Sequence, residues 1–359
     1  MLKRLRAIAI VLPQFHPIPE NDEWWGKGFT EWTNVAKAKP LYKDHYQPHL
    51  PADLGFYDLR LEQARDAQAK IAAEHGIHGF CHYHYWFNGK RLLDYPIDEM
   101  LRLKKPNMPF MLCWANENWT RRWDGLENEV LIKQEYDTKD DTAHIRWLCN
   151  NVFSDKRYIR VDGKPVFVIY RADLFPNIQE TLKLWRKIAK EEFGYKDLYL
   201  CVMESFYKIQ KPQESGFDAA IEFSPHHILK YKKESKSNSI LNILKREKKK
   251  SHSFRDYKQA VEESIDREVP EYKLFRSVTP SWDNTPRRGE NGIIAIGSTP
   301  EKYQYWLQKL SEKFGPYSEE ENFIFINAMN EWAEGNHLEP CQQYGTQYLE
   351  ATKSALKDF

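Results

Sequence analysis

The sequence has few cysteines and no pattern that would pair them. The five, at positions 81, 113, 149, 201 and 341, are odd in number, scattered and free of any Cys-x-x-Cys pair. This argues against a disulfide framework or a zinc cluster and fits a reducing compartment. We therefore expect a cytoplasmic protein.

Charge bias and long apolar runs are also missing. The formal net charge is +1 over 359 residues, which gives no global reason to expect a nucleic-acid partner. No apolar run approaches the roughly 18 residues that a membrane span needs. Residues 1–12 superficially resemble a signal peptide, but Pro13-Gln14-Phe15-His16 follows where a small-residue cleavage site would be needed. We interpret this segment as a first strand.

The sequence contains no internal repeat and no glycine-rich nucleotide-binding motif. Segments rich in β-forming residues alternate regularly with helical segments. The sequence predicts strands at 6–12, 77–83, 109–115, 165–171, 197–203, 217–222, 274–281 and 322–328. It predicts amphipathic helices at 57–75, 138–151, 177–193, 300–314 and 346–358. Eight such strands indicate a single (β/α)8 TIM barrel, an α/β fold, spanning 1–359. The main competitor, a doubly wound open sheet, would favour a G-x-G-x-x-G after the first strand, and none is present.

Tryptophan concentrates in the segments that follow the predicted strands. Nine of the twelve tryptophans lie there, and the other three, at 147, 185 and 306, lie in predicted helices. Core packing alone would not sort them so unevenly. Indole rings stack on the apolar faces of sugars, while neighbouring charged and amide groups hydrogen-bond the hydroxyls. This distribution indicates a carbohydrate site on the loops after the strands.

The segment 330–339, Asn-Glu-Trp-Ala-Glu-Gly-Asn-His-Leu-Glu, follows the last predicted strand and carries two carboxylates three residues apart. In a helical turn, Glu331 and Glu334 would lie side by side. That spacing is near the carboxyl separation of about 5 Å in retaining glycoside hydrolysis. A second arrangement would use Glu117 as acid/base and Glu331 as direct nucleophile.

This segment resembles glycoside hydrolase family 99, the endo-α-mannosidase group, whose motif is Asn-Glu-Trp-His-Glu-Gly followed by a later Glu. Here Ala333 replaces the His, and Glu339 fits the later Glu. The segment 282–288 loosely resembles that family's Asp-Thr-x-Ile-Arg. A nearly full-length resemblance is to the WbsX-type proteins of bacterial polysaccharide loci, whose hallmarks match 12–21, 28–35 and 114–120.

The resemblance implies a retaining, metal-independent mechanism on a bacterial polysaccharide. Glu331 would deprotonate the substrate's own 2-hydroxyl, which attacks the anomeric carbon to form a 1,2-anhydro sugar. Glu334 would protonate the leaving oxygen and then activate water. Ala333 puts in doubt the contribution of the family's His, for which His337 could partly substitute.

A further group of residues is expected to shape the substrate pocket. Its members are aromatic or polar side chains on the post-strand loops: His16, Trp24, Trp25, Glu31, Trp32, His82, His84, Trp86, Trp114, Asn116, Glu117, Trp119, Trp123, Asp283, Arg287, Asn330, Trp332 and Glu339.

Three other classes of function stay open. His82 and His84, with His16, His226 and His227, could ligate a catalytic zinc, although no cofactor is expected from the resemblance. A glycosyltransferase of O-antigen or capsule lipopolysaccharide biosynthesis is the second class. The chain lacks an Asp-x-Asp metal site and a glycine-rich phosphate loop, so such an enzyme would use a glycan or lipid-linked donor. A non-catalytic carbohydrate-binding protein is the third.

One basic insertion departs from the barrel pattern. Between 230 and 258 there are eleven Lys or Arg against three acidic residues, between the sixth and seventh predicted strands. Such a run is compatible with a solvated insertion. It also suits contact with an anionic membrane or a phosphate-bearing glycan carrier.

Overall fold

Parallel strands follow one another around a barrel in the computed structural model, which describes residues 5–121, 126–205, 211–229 and 253–359, with side chains of 121–129 excluded. Eight strand positions form it, and all eight were predicted. They are β1 (Arg6–Val11), β2 (Ile77–Phe87), β3 (Phe110–Trp114), β4 (Lys164–Ile169), β5 (Tyr199–Glu204), β6 (Ala219–Glu222), β7 (Leu274–Phe275 and Ser277–Val278) and β8 (Phe323–Ile326).

The strands pair in chain order, and β7 closes the ring. Its first piece pairs with β6 and its second with β8, while β8 pairs with β1. The residue between the two pieces, Arg276, accepts a hydrogen bond from the Phe325 N–H at 2.9 Å. The predicted single-domain (β/α)8 TIM barrel is therefore confirmed.

Helices surround the barrel. The five helices predicted from the sequence are present, and their bounds agree with the prediction within a few residues. Within the described ranges the α-helices are α1 (Pro19–Trp25), α2 (Glu31–Lys37), α3 (Glu62–Glu74), α4 (Tyr95–Leu103), α5 (Thr138–Asn151), α6 (Ile178–Phe193), α7 (Pro225–Leu229), α8 (Tyr257–Ile265), α9 (Thr285–Arg288), α10 (Pro300–Lys313) and α11 (Gln347–Leu356).

The first predicted helix, 57–75, begins later than expected. The Asp58 carboxylate accepts hydrogen bonds from the backbone and side chain of Arg60, which hold residues 58–60 in a turn. The helix α3 therefore starts at Glu62. Such side-chain capture of backbone N–H groups competes with helix formation.

Short extra strands extend the loops beyond the carboxyl ends of the barrel strands. Lys90–Leu92 pairs with the end of β2, and Trp119–Arg121 pairs with Leu126–Ile132. Ser253–Asp256 pairs with Ile293–Ile296, and Asn330–Glu331 pairs with Asn336–His337. The pair Ser253–Asp256 with Ile293–Ile296 is parallel, and the other three pairs are antiparallel. These short pairs wall the end of the barrel where catalytic residues lie in this fold.

No helix of the described ranges combines the length and apolarity of a membrane span. Of the basic insertion, 230–252 lies outside the described residues.

Candidate active site

A pocket of about 660 Å³ opens at the carboxyl end of the barrel. This volume is within the range of small-ligand sites. Aromatic side chains line much of it, with Asn, Arg and Glu side chains among them. Five residues predicted for the site reach its surface: Glu117, Trp119, Arg287, Glu331 and Glu334.

The loop after β8 turns helically, as its spacing predicts. Glu331 ends a two-residue strand, and Trp332–Glu334 form a 3₁₀ turn closed by a hydrogen bond from the Gly335 N–H to the Trp332 carbonyl at 3.0 Å. Gly335 has φ +57°, and a Cβ there would lie 3.0–3.2 Å from Asp283. The close approach of these two loops therefore requires glycine.

Asn330 anchors this loop to the other end of the chain. Its Oδ1 accepts from the Leu12 N–H at 2.7 Å, and its Nδ2 donates to the Leu12 carbonyl at 3.0 Å. The same Nδ2 lies 3.1 Å from the Tyr57 hydroxyl. Asn330 is fully buried, so it positions Glu331 rather than contacting the pocket.

One guanidinium joins three carboxylates at the base of the pocket. Arg287 Nη1 lies 2.6 Å from Glu334 Oε1, and its Nη2 lies 2.8 Å from Glu331 Oε2. The same Nη2 lies 2.7 Å from Glu31 Oε1. Glu31 also accepts the Ala333 N–H at 2.9 Å. The two predicted catalytic carboxylates thus share one arginine, which faces the pocket with them.

Burial changes the proton affinities of this cluster. It raises the pKa of Glu331 to about 8, although Arg287 pulls it down, and the charges of Glu334 and Glu31 raise it further. Burial likewise raises the pKa of Glu31, with Arg287 again opposing. Burial opposes the charge of Arg287, but the three carboxylates outweigh it and raise its pKa. The arginine therefore stays cationic while the carboxyl groups compete for a proton.

Glu117 lies in the same pocket but has its own cationic partner. Arg171, which follows β4, approaches it at 2.5 Å and also pairs with Asp173. Asn116 ties these loops together by exchanging hydrogen bonds with the Arg171 backbone at 2.7 and 2.8 Å. Arg171 therefore holds the Glu117 side chain at the pocket wall by an ion pair.

Beneath the pocket floor, a buried layer supports the β8 loop. Trp332 stacks on His337 with ring centroids 3.8 Å apart, and its Nε1 donates to Glu339 at 2.7 Å. Tyr57 and Gln68 also donate to Glu339, whose pKa burial raises to about 7. His337 packs against Trp332 in this buried layer and is not among the residues that line the pocket.

Asp283 belongs to a second supporting contact, between the β7 loop and the first loop. Its Oδ2 accepts from His45 and Gln47, both at 2.7 Å, and its Oδ1 accepts from Thr285. Burial opposes its ionisation, but these hydrogen bonds outweigh it and lower its pKa. The Asp283 N–H donates to the Glu334 carbonyl at 2.6 Å, which fixes the backbone of the candidate acid.

The structure places the predicted residues of β2 and β3 on the opposite side of the barrel wall. His84 contacts His144 of α5 at 3.0 Å, and Trp86 donates to Asp140 of the same helix. His82 lies in a small apolar cavity with Met100, and Trp114 packs on His144. Their neighbours line the pocket instead: Tyr83, Tyr85, Phe87 and Ala115. The reason is the two-residue period of a strand, which sends alternate side chains to opposite faces.

The remaining predicted residues lie around the pocket rather than on its surface. Trp32 is buried against Trp332, and His16 is buried with a pKa that burial lowers to about 4. Trp24 packs on Trp119 behind the wall, and Trp25 packs on Phe29. Trp123 lies outside the described residues.

The histidines do not converge. His227 pairs with Glu222 at 2.9 Å, while His226 lines the pocket and His84 faces α5. Across the ranges that the structure describes, no three His, Cys, Asp or Glu side chains come together as metal ligands.

Sequence reasoning missed several pocket residues. In addition to those of β2 they include Tyr170, Phe223, Trp282, Asn284, Arg288 and Asn327. The first two follow β4 and β6 directly, so the position after a strand was a usable signal. Choosing residues by chemical type, Trp and His above Tyr and Phe, passed over them.

Comparison with known proteins identifies the family. The sequence matches the family described as Glycosyltransferase WbsX over residues 7–352. The chain belongs to this family. It is 40% identical over 354 residues to an uncharacterized protein, WxcX, of Xanthomonas campestris pv. campestris strain B100, covering 97% of this chain and 49% of that protein. The chain thus spans about half the length of the curated relatives it matches.

Solved structures similar to the WbsX-family barrel come from glycoside hydrolases. A glycoside hydrolase-like protein matches with a TM-score of 0.59 at 14% identity, covering 99% of this chain and 94% of its own. The GH99 endo-alpha-mannosidase from Bacteroides thetaiotaomicron matches with a TM-score of 0.57 at 14% identity, covering 98% of this chain and 96% of its own. At this identity the likeness shows a shared fold. The predicted membership of the WbsX-type family and the family-99-like barrel are confirmed.

Proposed function

We propose that this WbsX-family protein is an enzyme that cleaves or transfers a glycosidic bond of a bacterial polysaccharide with retention of configuration. The observation that carries the proposal is the pair Glu331 and Glu334, which reach one aromatic-lined pocket and share Arg287. Retaining chemistry uses two carboxyl groups that flank the scissile bond at a separation of about 5–5.5 Å.

In the proposed reaction, Glu331 takes the proton of the sugar 2-hydroxyl while that oxygen attacks the anomeric carbon. Glu334 gives its proton to the departing glycosidic oxygen, so a 1,2-anhydro sugar and a free alcohol result. A water or an acceptor alcohol then gives its proton to Glu334 and opens the three-membered ring at the anomeric carbon. Glu331 returns the proton to O2. Arg287 balances the charge of the two glutamates in both half-reactions.

Hydrolysis and transfer differ only in the acceptor of the second half-reaction. A glycosyltransferase of lipopolysaccharide biosynthesis would fit if the acceptor were a glycan alcohol and the donor a lipid-linked or glycan sugar. The family's description as a glycosyltransferase favours including this branch.

The deciding experiment is a screen of defined polysaccharides, including the surface glycan of the producing organism, with product stereochemistry followed by NMR. Retained configuration and loss of turnover in both Glu331→Gln and Glu334→Gln are expected. A 2-deoxy substrate should bind without reacting. Turnover that survives Glu334→Ala but not Glu117→Ala would instead support Glu331 as direct nucleophile with Glu117 as acid/base. Activity unharmed by loss of Glu331 would defeat both schemes.

We also propose that the basic segment 230–258 contacts an anionic membrane surface or a phosphate-bearing glycan carrier. Its sequence carries an excess of positive charge, and Leu229, just before it, lines the pocket. Binding to phosphatidylglycerol vesicles, compared with phosphatidylcholine vesicles, should fall when lysines 248–250 are changed to Glu. The five cysteines are all buried and free, which supports the proposal of a cytoplasmic location.

A further inference from the structure

Glu31 stands apart from the other two carboxylates of the cluster. It begins α2, it has no exposed surface, and it does not line the pocket. No substrate can therefore reach it in this conformation. Yet its Oε1 lies 2.7 Å from the same Arg287 Nη2 that serves Glu331.

Its contacts connect three parts of the chain. The carboxylate accepts from the Ala333 N–H, between the two candidate catalytic glutamates, and from Arg287 on α9. Its own backbone N–H donates to the Gln14 carbonyl at 2.8 Å, which fixes α2 against the β1 loop. Glu31 thus sets where the guanidinium sits relative to Glu331 and Glu334.

The net charge of the three carboxylates and Arg287 also indicates that these groups act together. Three ionised carboxylates around one guanidinium would leave two excess negative charges, and Glu31 is fully buried while the Glu331 side chain is only 9% exposed. Such an excess of charge is unfavourable where so little water can solvate it. A proton shared between Glu31 and Glu331 relieves this. The other groups that feel Glu331 are the hydroxyls of Tyr83 and Tyr85, which burial keeps neutral.

We propose that Glu31 is the positioning residue of this site: it holds Arg287 between Glu331 and Glu334, so that three carboxyl groups share one guanidinium, and Glu31 and Glu331 share one proton. The inference rests on the proposed function for its catalytic meaning. Its physical content is independent of any substrate, so it can be tested whether or not the polysaccharide is found.

The test is a pH titration of the protein labelled with [13Cδ]glutamate, with the three resonances assigned through the single Gln variants. In the wild type, Glu31 and Glu331 should titrate as one coupled pair that holds a proton at pH 7. Glu31→Gln keeps an oxygen for the Ala333 N–H but removes the charge. The Glu331 midpoint should then move to lower pH by about one unit, because a like charge has been removed.

A matched control is Glu117→Gln, which removes a pocket carboxylate that has its own arginine partner and should leave the Glu331 midpoint in place. Glu31→Asp keeps the charge and should keep that midpoint near its wild-type value. If Glu31→Gln does not fold, Glu334→Gln serves in its place, since it should move the Glu31 midpoint by the same coupling. The proposal is overturned if Glu31 titrates independently of Glu331 and Glu334, or if all three are ionised at pH 7.

Once a substrate is known, kinetics give a second readout. A positioning role predicts that Glu31→Gln lowers kcat at least about tenfold with little change in KM, since Glu31 does not touch the pocket. A change confined to KM would contradict it. A failed polysaccharide screen together with a shifted titration would disprove the proposed function but not the shared proton.

Discussion

At the scale of single residues, the site is defined by competition for charge around Arg287. Glu331 and Glu334 reach the pocket, and Glu31 does not, yet all three contact the same guanidinium. The environment of each carboxyl group, rather than its identity, separates their roles. Such divided environments are typical of acid and base pairs.

The pH dependence of catalysis should report Glu331. Burial raises the pKa of this group to about 8, so at neutral pH most of it is protonated and only a minor fraction can act as a base. If Glu331 is the base, kcat/KM should rise as the pH increases through about 8. A pH–rate profile measured between pH 5 and pH 10 checks this. A decrease through the same range would exchange the roles of Glu331 and Glu334.

The stability of the fold should also depend on the ionisation of Glu331, but it should decrease as the pH rises. Between the ordinary glutamate pKa of 4.5 and about 8, folded Glu331 keeps a proton that the unfolded chain releases. The free energy of unfolding therefore falls as pH rises through this window. The Gln side chain of Glu331→Gln cannot ionise. The free energy of unfolding of this variant, relative to the wild type, should therefore increase from pH 5 to pH 9, on the order of a few kcal/mol. Urea denaturation at both pH values measures it, and an equal difference at both would contradict the raised pKa.

At the scale of elements, β2 shows what sequence reasoning could and could not supply. The sequence predicted a strand at 77–83 followed by a loop of aromatic and histidine residues, whereas the strand continues to Phe87. The sequence did not tell which alternate set faces the pocket, because both sets are aromatic: Tyr83, Tyr85 and Phe87 on one face, His84 and Trp86 on the other. A polar-against-apolar contrast, the usual guide to strand orientation, was missing here.

The two faces of β2 should respond differently to substitution. Tyr85→Ala removes a pocket side chain and should raise KM with little loss of stability. Trp86→Ala removes a buried indole that contacts α5, and should lower the free energy of unfolding by about 3–5 kcal/mol. Chemical denaturation and initial-rate kinetics on both variants check the prediction. Equal effects of the two substitutions on stability would argue against the opposed faces.

The β8 loop was the element best predicted from sequence. Two glutamates at i and i+3 after a buried strand require only a short helical turn to face one site, and the 3₁₀ turn supplies it. The arginine that joins them comes from the β7 loop and could be expected only as a pocket residue. Glu31 was expected to contact substrate, and its burial behind Arg287 follows from long-range packing that no local pattern encodes.

At the scale of the whole molecule, the barrel is closed by β7, a strand in two pieces, and by buried ion pairs. Arg276 joins the two pieces of β7, and its Nε lies 2.7 Å from Glu222 at the end of β6. Arg267 and His227 also pair with Glu222, so this carboxylate has three cationic or potentially cationic partners. Burial opposes its ionisation, but these partners outweigh it and lower its pKa.

Breaking this closure should destabilise the entire barrel. Arg276→Met leaves Glu222 with fewer donors in a buried position, and removal of one partner of a buried pair costs about 3–5 kcal/mol. The expected result is a lower midpoint of urea denaturation. The double variant Arg276→Met with Glu222→Leu should recover part of the loss, because no unmatched charge remains. A single variant as stable as the wild type would show that β7 is held by its backbone pairing alone.

The order of strands and the fold class could be predicted from the alternating segments, because each buried strand is a local run of apolar residues in the sequence. The loop positions could not, because parallel pairs such as Ser253–Asp256 with Ile293–Ile296 join segments far apart in sequence.

The hydrogen bonds between Leu12 and Asn330 join positions 318 residues apart, and this has a consequence for biosynthesis. Glu31 is synthesised early, Arg287 late and Glu331 later still. The cluster of these three residues therefore cannot form on a nascent chain that stops before Met329. A polypeptide whose translation stops before Glu331 would therefore lack the carboxylates that complete the contacts of Arg287. The cluster forms only when residues 330–334 pack against Leu12 and Glu31.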